Sequence, residues 1–147
     1  MSAPTHDVVV IGAGFSGLYM LHKLREMGLS VVALEAAEDI GGTWLFNRYP
    51  GARCDIESIE YSYSFSDEIQ QEWVWTETMP AQPEIEAYLH FVADKLDLRR
   101  DIHLNTRVDA MTFSENAAEW TIDTDTGARF TARFVVAASG ILSMPLE

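Results

Sequence analysis

A strand runs straight into a glycine-rich turn near the start of this chain and emerges as a helix, and this constrains the fold more than any other feature. Val8-Val-Val-Ile11 is an unbroken β-branched run, the pattern of a parallel strand buried on both faces. Gly12-Ala-Gly-Phe-Ser-Gly17 follows, and helical spacing then takes over at Leu18, Leu21, Leu24 and Met27. Gly28 supplies the stop signal expected just past a helix C-terminus, and Ser30-Val-Val-Ala-Leu-Glu35 reads as a second buried strand. Strand, turn, helix and strand within about 30 residues form a βαβ unit, so the chain is expected to be α/β.

The turn carries chemistry as well as topology. Gly12, Gly14 and Gly17 stand in the G-x-G-x-x-G spacing directly after a strand and at the mouth of a helix. The first glycine permits a tight turn, the second lets a pyrophosphate approach the backbone, and the third allows close helix–strand packing. The helix N-terminal amides face the anion, and Phe15 and Ser16 fall where they can add contacts. A glycine turn without a ligand is the competing reading, which the placement after a strand disfavours. Glu35 ends the second strand 18 residues past Gly17. A carboxylate there can accept from both ribose hydroxyls of an adenosine and repels a 2′-phosphate, which favours FAD or NAD over NADP at this site.

The remainder is less regular. Residues 36–82 show no sustained period and many aromatics, which predicts a functional segment with short helical turns. Pro83 fits the first position of a helix, with Glu84 and Glu86 placed against its N-terminal dipole and Ile85, Leu89, Val92 and Leu96 as its apolar stripe. From Ile102 the period becomes two. Turn signals at 114–116 and 125–127 divide an antiparallel meander at roughly residues 107–113, 119–123 and 128–132, and Phe134–Ala138 reads as a further buried strand ending at Ser139-Gly140.

Composition excludes several classes. A formal charge of −13 makes nucleic acid or an anionic membrane an unfavourable partner. Cys54 is the single cysteine, so no internal disulfide can form and a reducing compartment is the simpler expectation. His6, His22, His90 and His103 are too dispersed for a local metal motif, so no metal is expected. Residues 1–7 lack the pattern of a secretory signal, and residues 8–11 are too few to span a bilayer, so a cytoplasmic location is expected. Asp67 and Glu68 are expected to be solvated, and Trp73 and Trp75 to pack one face of an extended piece.

Trp44-Leu-Phe-Asn-Arg-Tyr-Pro-Gly-Ala-Arg-Cys-Asp55-Ile-Glu-Ser-Ile-Glu-Tyr61 is the most informative block for function. With the glycine turn, Glu35, Gly41-Gly-Thr-Trp44 and Ala138-Ser-Gly-Ile-Leu-Ser-Met-Pro145, it resembles the first FAD-binding stretch of Baeyer–Villiger monooxygenases. The resemblance runs from about Asp7 to Pro145, with Ser139 replacing the family's threonine. It implies a Rossmann-like FAD-binding domain over residues 1–147, a parallel βαβ sheet with a small antiparallel meander. It further implies that Thr43, Trp44, Leu45 and Phe46 line the flavin, that Tyr61 touches it, and that the backbone of Val108 meets the adenine. Arg53 and Cys54 match positions that approach the nicotinamide cofactor. Asp55 matches the active-site carboxylate, which orients an arginine from a later domain.

The activity so implied is NADPH- and O2-dependent conversion of a ketone into an ester or lactone through a C4a-peroxyflavin. The family's NADPH-binding domain and catalytic arginine have no counterpart here, so the chain reads as a truncated FAD-binding portion, inactive alone and prone to self-association through uncovered surface. Two alternatives stay open. One is part of an N- or S-oxygenating flavin monooxygenase, and the other a dinucleotide-binding module without catalysis.

Overall fold

The computed structural model describes residues 5–141. Strand β1 (His6–Ile11) leads into helix α1 (Phe15–Glu26) and strand β2 (Val31–Leu34). Two short helices, α2 (Thr43–Phe46) and α3 (Asp67–Glu72), punctuate the long middle segment before helix α4 (Gln82–Lys95). A 3₁₀ turn at Arg99–Asp101 precedes strands β3 (Ile102–His103), β4 (Val108–Ser114), β5 (Glu119–Thr124) and β6 (Arg129–Ala137). The six strands form one sheet in the order β3-β2-β1-β6-β5-β4. Pairing is parallel from β3 through β6 and antiparallel from β6 to β4. The expected α/β architecture is therefore present.

The βαβ unit forms as its residues dictate. Leu18, Leu21 and Leu24 bury one face of α1 against the sheet, and all four residues of β2 are buried. At the C-terminus of α1, Gly28 takes φ +77°. Its N–H donates to the Arg25 carbonyl (2.9 Å) and that of Leu29 to the Leu24 carbonyl (3.2 Å), closing a Schellman motif. Lys23 and Arg25 complement the dipole in the same turn. Met27, expected in the apolar stripe, caps the helix instead and is exposed, because the chain turns away before it could reach the sheet.

Two clusters make up the core. On one face of the sheet, α1 and α4 pack with residues such as Val8, Val10, Leu21, Ile85, Tyr88, Leu89 and Val92. Tyr88 anchors an aromatic layer there, with the rings of Trp73 and Trp75 5.4 and 4.9 Å from its own. The other face, with Val9, Val32 and Leu34, is closed by Ile122 and Ala132 and by the partly buried Trp120 and Phe130, all strand residues. The antiparallel half of the sheet thus performs on this face the task that helices perform on the other.

Three boundaries differ from expectation. The meander strand at 128–132 and the run Phe134–Ala138 are one strand, β6, which pairs with β5 through Arg129–Ala132 and with β1 from Ala132 to Ala137. Arg133, which falls between the two expected strands, is exposed and pairs with Asp7 (3.4 Å) without interrupting the strand. The run is also less buried than its composition suggests, with Phe134 54% exposed beneath the Arg133 guanidinium. Ile102, where the period of two begins ahead of the meander expected from residue 107, sits in a separate short strand, β3, and extends the parallel part beside β2. Helix α4 starts one residue before Pro83. Among the described residues no helix is long and apolar enough to cross a membrane, and no group of acidic, histidine and cysteine side chains gathers as a metal site.

Candidate functional site

A cavity of about 660 Å³ opens where β1, β2 and β6 end. Its floor is the glycine turn, and each glycine of that turn has a distinct physical duty. Gly12 lies at φ +101°, and a Cβ there would stand 2.5 Å from the Ala138 carbonyl oxygen. Gly17 belongs to α1 and does not line the cavity. A Cβ on it would stand 2.0 Å from the Gly12 carbonyl oxygen, so its missing side chain is what seats the helix on the turn. Gly14 faces a second glycine turn, since a Cβ on Gly42 would lie 3.1 Å from its Cα. The Gly41 N–H donates to the Ala13 carbonyl (3.1 Å) and ties the two turns together. Bare backbone therefore walls this part of the cavity from two sides, and the first turn of α1, with Gly14, Phe15 and Ser16, opens onto it. That arrangement suits a diphosphate, which needs close N–H donors and no Cβ in the way.

Glu35 lines the cavity at the end of β2 and is only 6% exposed. One carboxylate oxygen accepts from the Ala13 N–H (2.6 Å) and the other from the Ala37 N–H (2.8 Å). Each oxygen keeps a further lone pair, so the group is oriented yet still able to accept from paired hydroxyls. The backbone beyond β2 is held on its far side, where Glu35 N–H donates to the His103 carbonyl (2.9 Å) and Thr106 N–H to the Glu35 carbonyl (2.8 Å). This pairing delivers Thr106, Arg107 and Val108 to the cavity wall.

The opposite wall is aromatic. Thr43, Trp44, Phe46, Asn47 and Tyr61 line it. Trp44 Nε1 donates to the Tyr61 hydroxyl (3.0 Å), and the two rings meet edge-on at 5.8 Å. Burial pushes the Tyr61 phenol above its usual pKa. Behind it, the Tyr63 hydroxyl donates to the Phe15 carbonyl (2.5 Å), and the Tyr88 hydroxyl accepts from the Tyr63 N–H (2.9 Å). Burial raises the Tyr63 pKa as well, which keeps it a donor. These bonds join the aromatic wall to the glycine turn.

Most residues singled out from sequence thus surround one space: Gly12, Gly14, Phe15, Ser16, Glu35, Thr43, Trp44, Phe46, Tyr61 and Val108 all line the cavity, as do Ala138, Ser139 and Gly140. Leu45, Arg53, Cys54 and Asp55 do not. Arg53 is exposed, pairs with Glu77 and donates to the Met79 carbonyl, whereas Cys54 is buried in the first core cluster with its N–H on the Pro80 carbonyl (2.9 Å). Asp55 is exposed. Ser143 and Pro145 of the C-terminal motif lie outside the described residues. Thr106 and Arg107 were not singled out, Asn47 was marked only as part of the Trp44–Tyr61 block, and only the paired glycines at 41–42 carried a signal that a second turn would face the first.

Known proteins match this arrangement. Residues 10–71 fit the NAD(P)-binding Rossmann-like domain family. The chain is 47% identical over its whole length to the acetone monooxygenase (methyl acetate-forming) of Gordonia sp. (strain TY-5), covering 28% of that protein. It is 50% identical over 95% of its length to a phenazine N-monooxygenase of Lysobacter antibioticus (26% of that protein) and 49% identical over 93% to a Baeyer–Villiger monooxygenase of Pseudooceanicola batsensis (25%). A solved structure of oxidized steroid monooxygenase bound to NADP superposes with a TM-score of 0.94 at 56% identity, over 97% of this chain and 27% of that one. OTEMO in complex with FAD and NADP superposes at 0.92 and 42% identity, over 98% and 28%. The chain is homologous to the FAD-binding portion of such monooxygenases and spans about a quarter of their length.

Proposed function

We propose that this chain, a homologue of the N-terminal FAD-binding portion of Baeyer–Villiger monooxygenases, holds FAD for an NADPH- and O2-dependent enzyme that turns a ketone into an ester or lactone. The observation that carries the reading is the single cavity onto which the glycine turn, Glu35 and the Thr43–Phe46 turn all open. Gly12 and Gly14, with the first turn of α1, are assigned to the pyrophosphate, and Glu35 to the adenosine ribose. The backbone of Val108 would meet the adenine, and Trp44, Phe46 and Tyr61 would flank the ring system. Bound FAD would supply the activation of O2 and the transfer of one of its atoms. Asp55, outside the cavity wall, is assigned to orient an arginine supplied from beyond this chain, as a counter-charge for the negative charge developing on the carbonyl oxygen. Arg53 and Cys54 are assigned to the side from which NADPH arrives. The single buried cysteine suits a reducing compartment, and we infer the cytoplasm.

Oxygenation at nitrogen is the second reading, favoured by the similarity to a phenazine N-monooxygenase. Two experiments test the proposal. The chain is refolded with FAD and desalted, and flavin absorbance is expected to follow the protein; binding of NAD with no uptake of FAD would overturn the flavin reading. In an enzyme of the relatives' length, Asp55→Ala should leave FAD bound and lower ester formation from a ketone by about 10²–10³, the cost of one lost electrostatic stabiliser. An N-oxide as the sole product, with no ester, would select the second reading.

A further inference from the structure

The aromatic wall of the cavity is held from behind by a residue that does not touch the cavity. Gln82, the first residue of α4, is only 6% exposed. Its side-chain amide donates to the Trp44 carbonyl (2.5 Å) and to Glu86 Oε2 (2.8 Å), and its backbone N–H donates to the Ala52 carbonyl (2.9 Å). The other oxygen of Glu86 accepts from Arg48. The Thr43–Phe46 turn, the stretch from Arg48 to Asp55, and α4 are therefore joined through one amide and its neighbouring carboxylate.

The chemistry of this junction asks for glutamine. A helix leaves its last four carbonyls without intrahelical partners, and α2 is only four residues long. Asn47 answers the Thr43 carbonyl with its backbone N–H (3.0 Å) and its side-chain amide (2.8 Å). The Trp44 carbonyl is answered by Gln82. A carbonyl and a carboxylate can only accept, so the NH2 end of Gln82 must face them, and its two protons match two acceptors. Glutamate at 82 would set a third acceptor against them, and methionine would fill the space with no donor.

We propose that Gln82 is a positioning residue for the flavin. Its two side-chain donors hold the Thr43–Phe46 turn in the pose that FAD requires and, through Glu86 and Arg48, couple that turn to the stretch carrying Asp55. The identity of the ligand rests on the FAD reading above, whereas the coupling is a property of this chain alone. The test uses the 147-residue chain and its Gln82→Met and Glu86→Ala variants, with amide hydrogen exchange measured without FAD and flavin uptake measured by fluorescence titration and visible circular dichroism. In Gln82→Met, exchange across 43–55 should rise about tenfold while β1 and α1 keep their protection, FAD should bind roughly tenfold more weakly, and the dichroism of bound flavin should change. In Glu86→Ala the rise should be confined to 48–55, and this variant decides the coupling should Gln82→Met not fold. Unchanged exchange at 43–47 in Gln82→Met, or a rise shared equally by β1 and α1, overturns the positioning role. Failure of the unmodified chain to take up FAD overturns the flavin reading itself. Normal uptake by that chain, with unaltered affinity and dichroism in Gln82→Met, overturns only the role of Gln82.

Discussion

The glycine turn after β1 and the aromatic turn at Thr43–Phe46 face the same cavity, yet the forces shaping them act over different distances along the chain. In the glycine turn one steric determinant is local, since Gly17 must lack a Cβ because the Gly12 carbonyl lies beneath it, five residues away, and the distant contacts, at Ala138 and Gly42, are to backbone. The aromatic turn is shaped from afar. Trp44 bonds to Tyr61 and to Gln82, and Tyr61 packs on Phe15 with ring centroids 5.0 Å apart. A ligand seated between them would meet one wall made of backbone and one of side chains. The first is stiff because sterics leave it no alternative. The second keeps its shape only while α4 stays docked. The surfaces differ too. Phe46, Tyr49, Ile59 and Val74, exposed by 62%, 63%, 81% and 78%, all belong to the middle segment, whereas Val8, Val9 and Val10 of β1 and all of β2 are almost wholly covered.

The largest expected effect comes from adding one carbon to the stiff wall. Gly17→Ala places a Cβ against a backbone oxygen that cannot move without dragging β1, so a loss of at least about 3 kcal/mol is expected, the upper end of overpacking costs. Urea unfolding measures it, and a stability close to that of the unmodified chain would show that the wall yields after all. Glu35→Ala comes next. It strands the N–H groups of Ala13 and Ala37, so stability should fall by about 1–3 kcal/mol, and FAD affinity should fall by a comparable amount through the lost ribose acceptor. Glu35→Gln sharpens the point, since one carbonyl acceptor survives and an intermediate loss should result.

A weaker effect tests the exposed side. We propose that the apolar residues of the middle segment drive reversible self-association of this chain, against its charge of −13, which favours dispersal. Sedimentation over a concentration range should show it, and Ile59→Ser with Val74→Ser should abolish it. A monomer at every concentration would mean that this face is stable in water as it stands.

The smallest effect concerns acid. Asp7 accepts from the N–H and hydroxyl of Ser30 (3.0 Å each), and these bonds, with a lesser contribution from Arg133, hold its carboxyl below the usual 3.8. A depressed carboxylate supports the fold while it is ionised. That support should be complete above pH 3.8 and fade as pH falls through the lower folded value. Asp7→Asn should remove this part of the acid dependence, which urea midpoints at pH 6 and pH 3 would reveal. An unchanged pH slope would mean that the bond to Ser30 contributes nothing.

What was legible along the chain follows the same division. The βαβ unit, the turn and its acidic partner could be read directly, because backbone conformation, β-branching and helical spacing are written in adjacent residues. The single strand β6 could not. Arg133 breaks the apolar pattern, and only the register with both β1 and β5 shows that the strand passes through it. Thr106 and Arg107 carry no motif and reach the cavity because the chain after β3 pairs with the end of β2. Cys54 lies in the phrase that carries the resemblance, yet its side chain belongs to the core.

By itself, then, the sequence determined the parallel α/β frame, the backbone cradle and the chemical identity of the groups around it, since each depends on φ, on a missing Cβ or on contiguous periodicity. Only the tertiary structure decided how Glu35 is oriented, which side chains close the aromatic wall, and that Gln82 stands behind it. Those outcomes rest on hydrogen bonds between residues 22 and 38 positions apart, Ala13 with Glu35 and Trp44 with Gln82. Such bonds gain little individually and form only when the whole core packs around them, so no local stretch of residues can announce them.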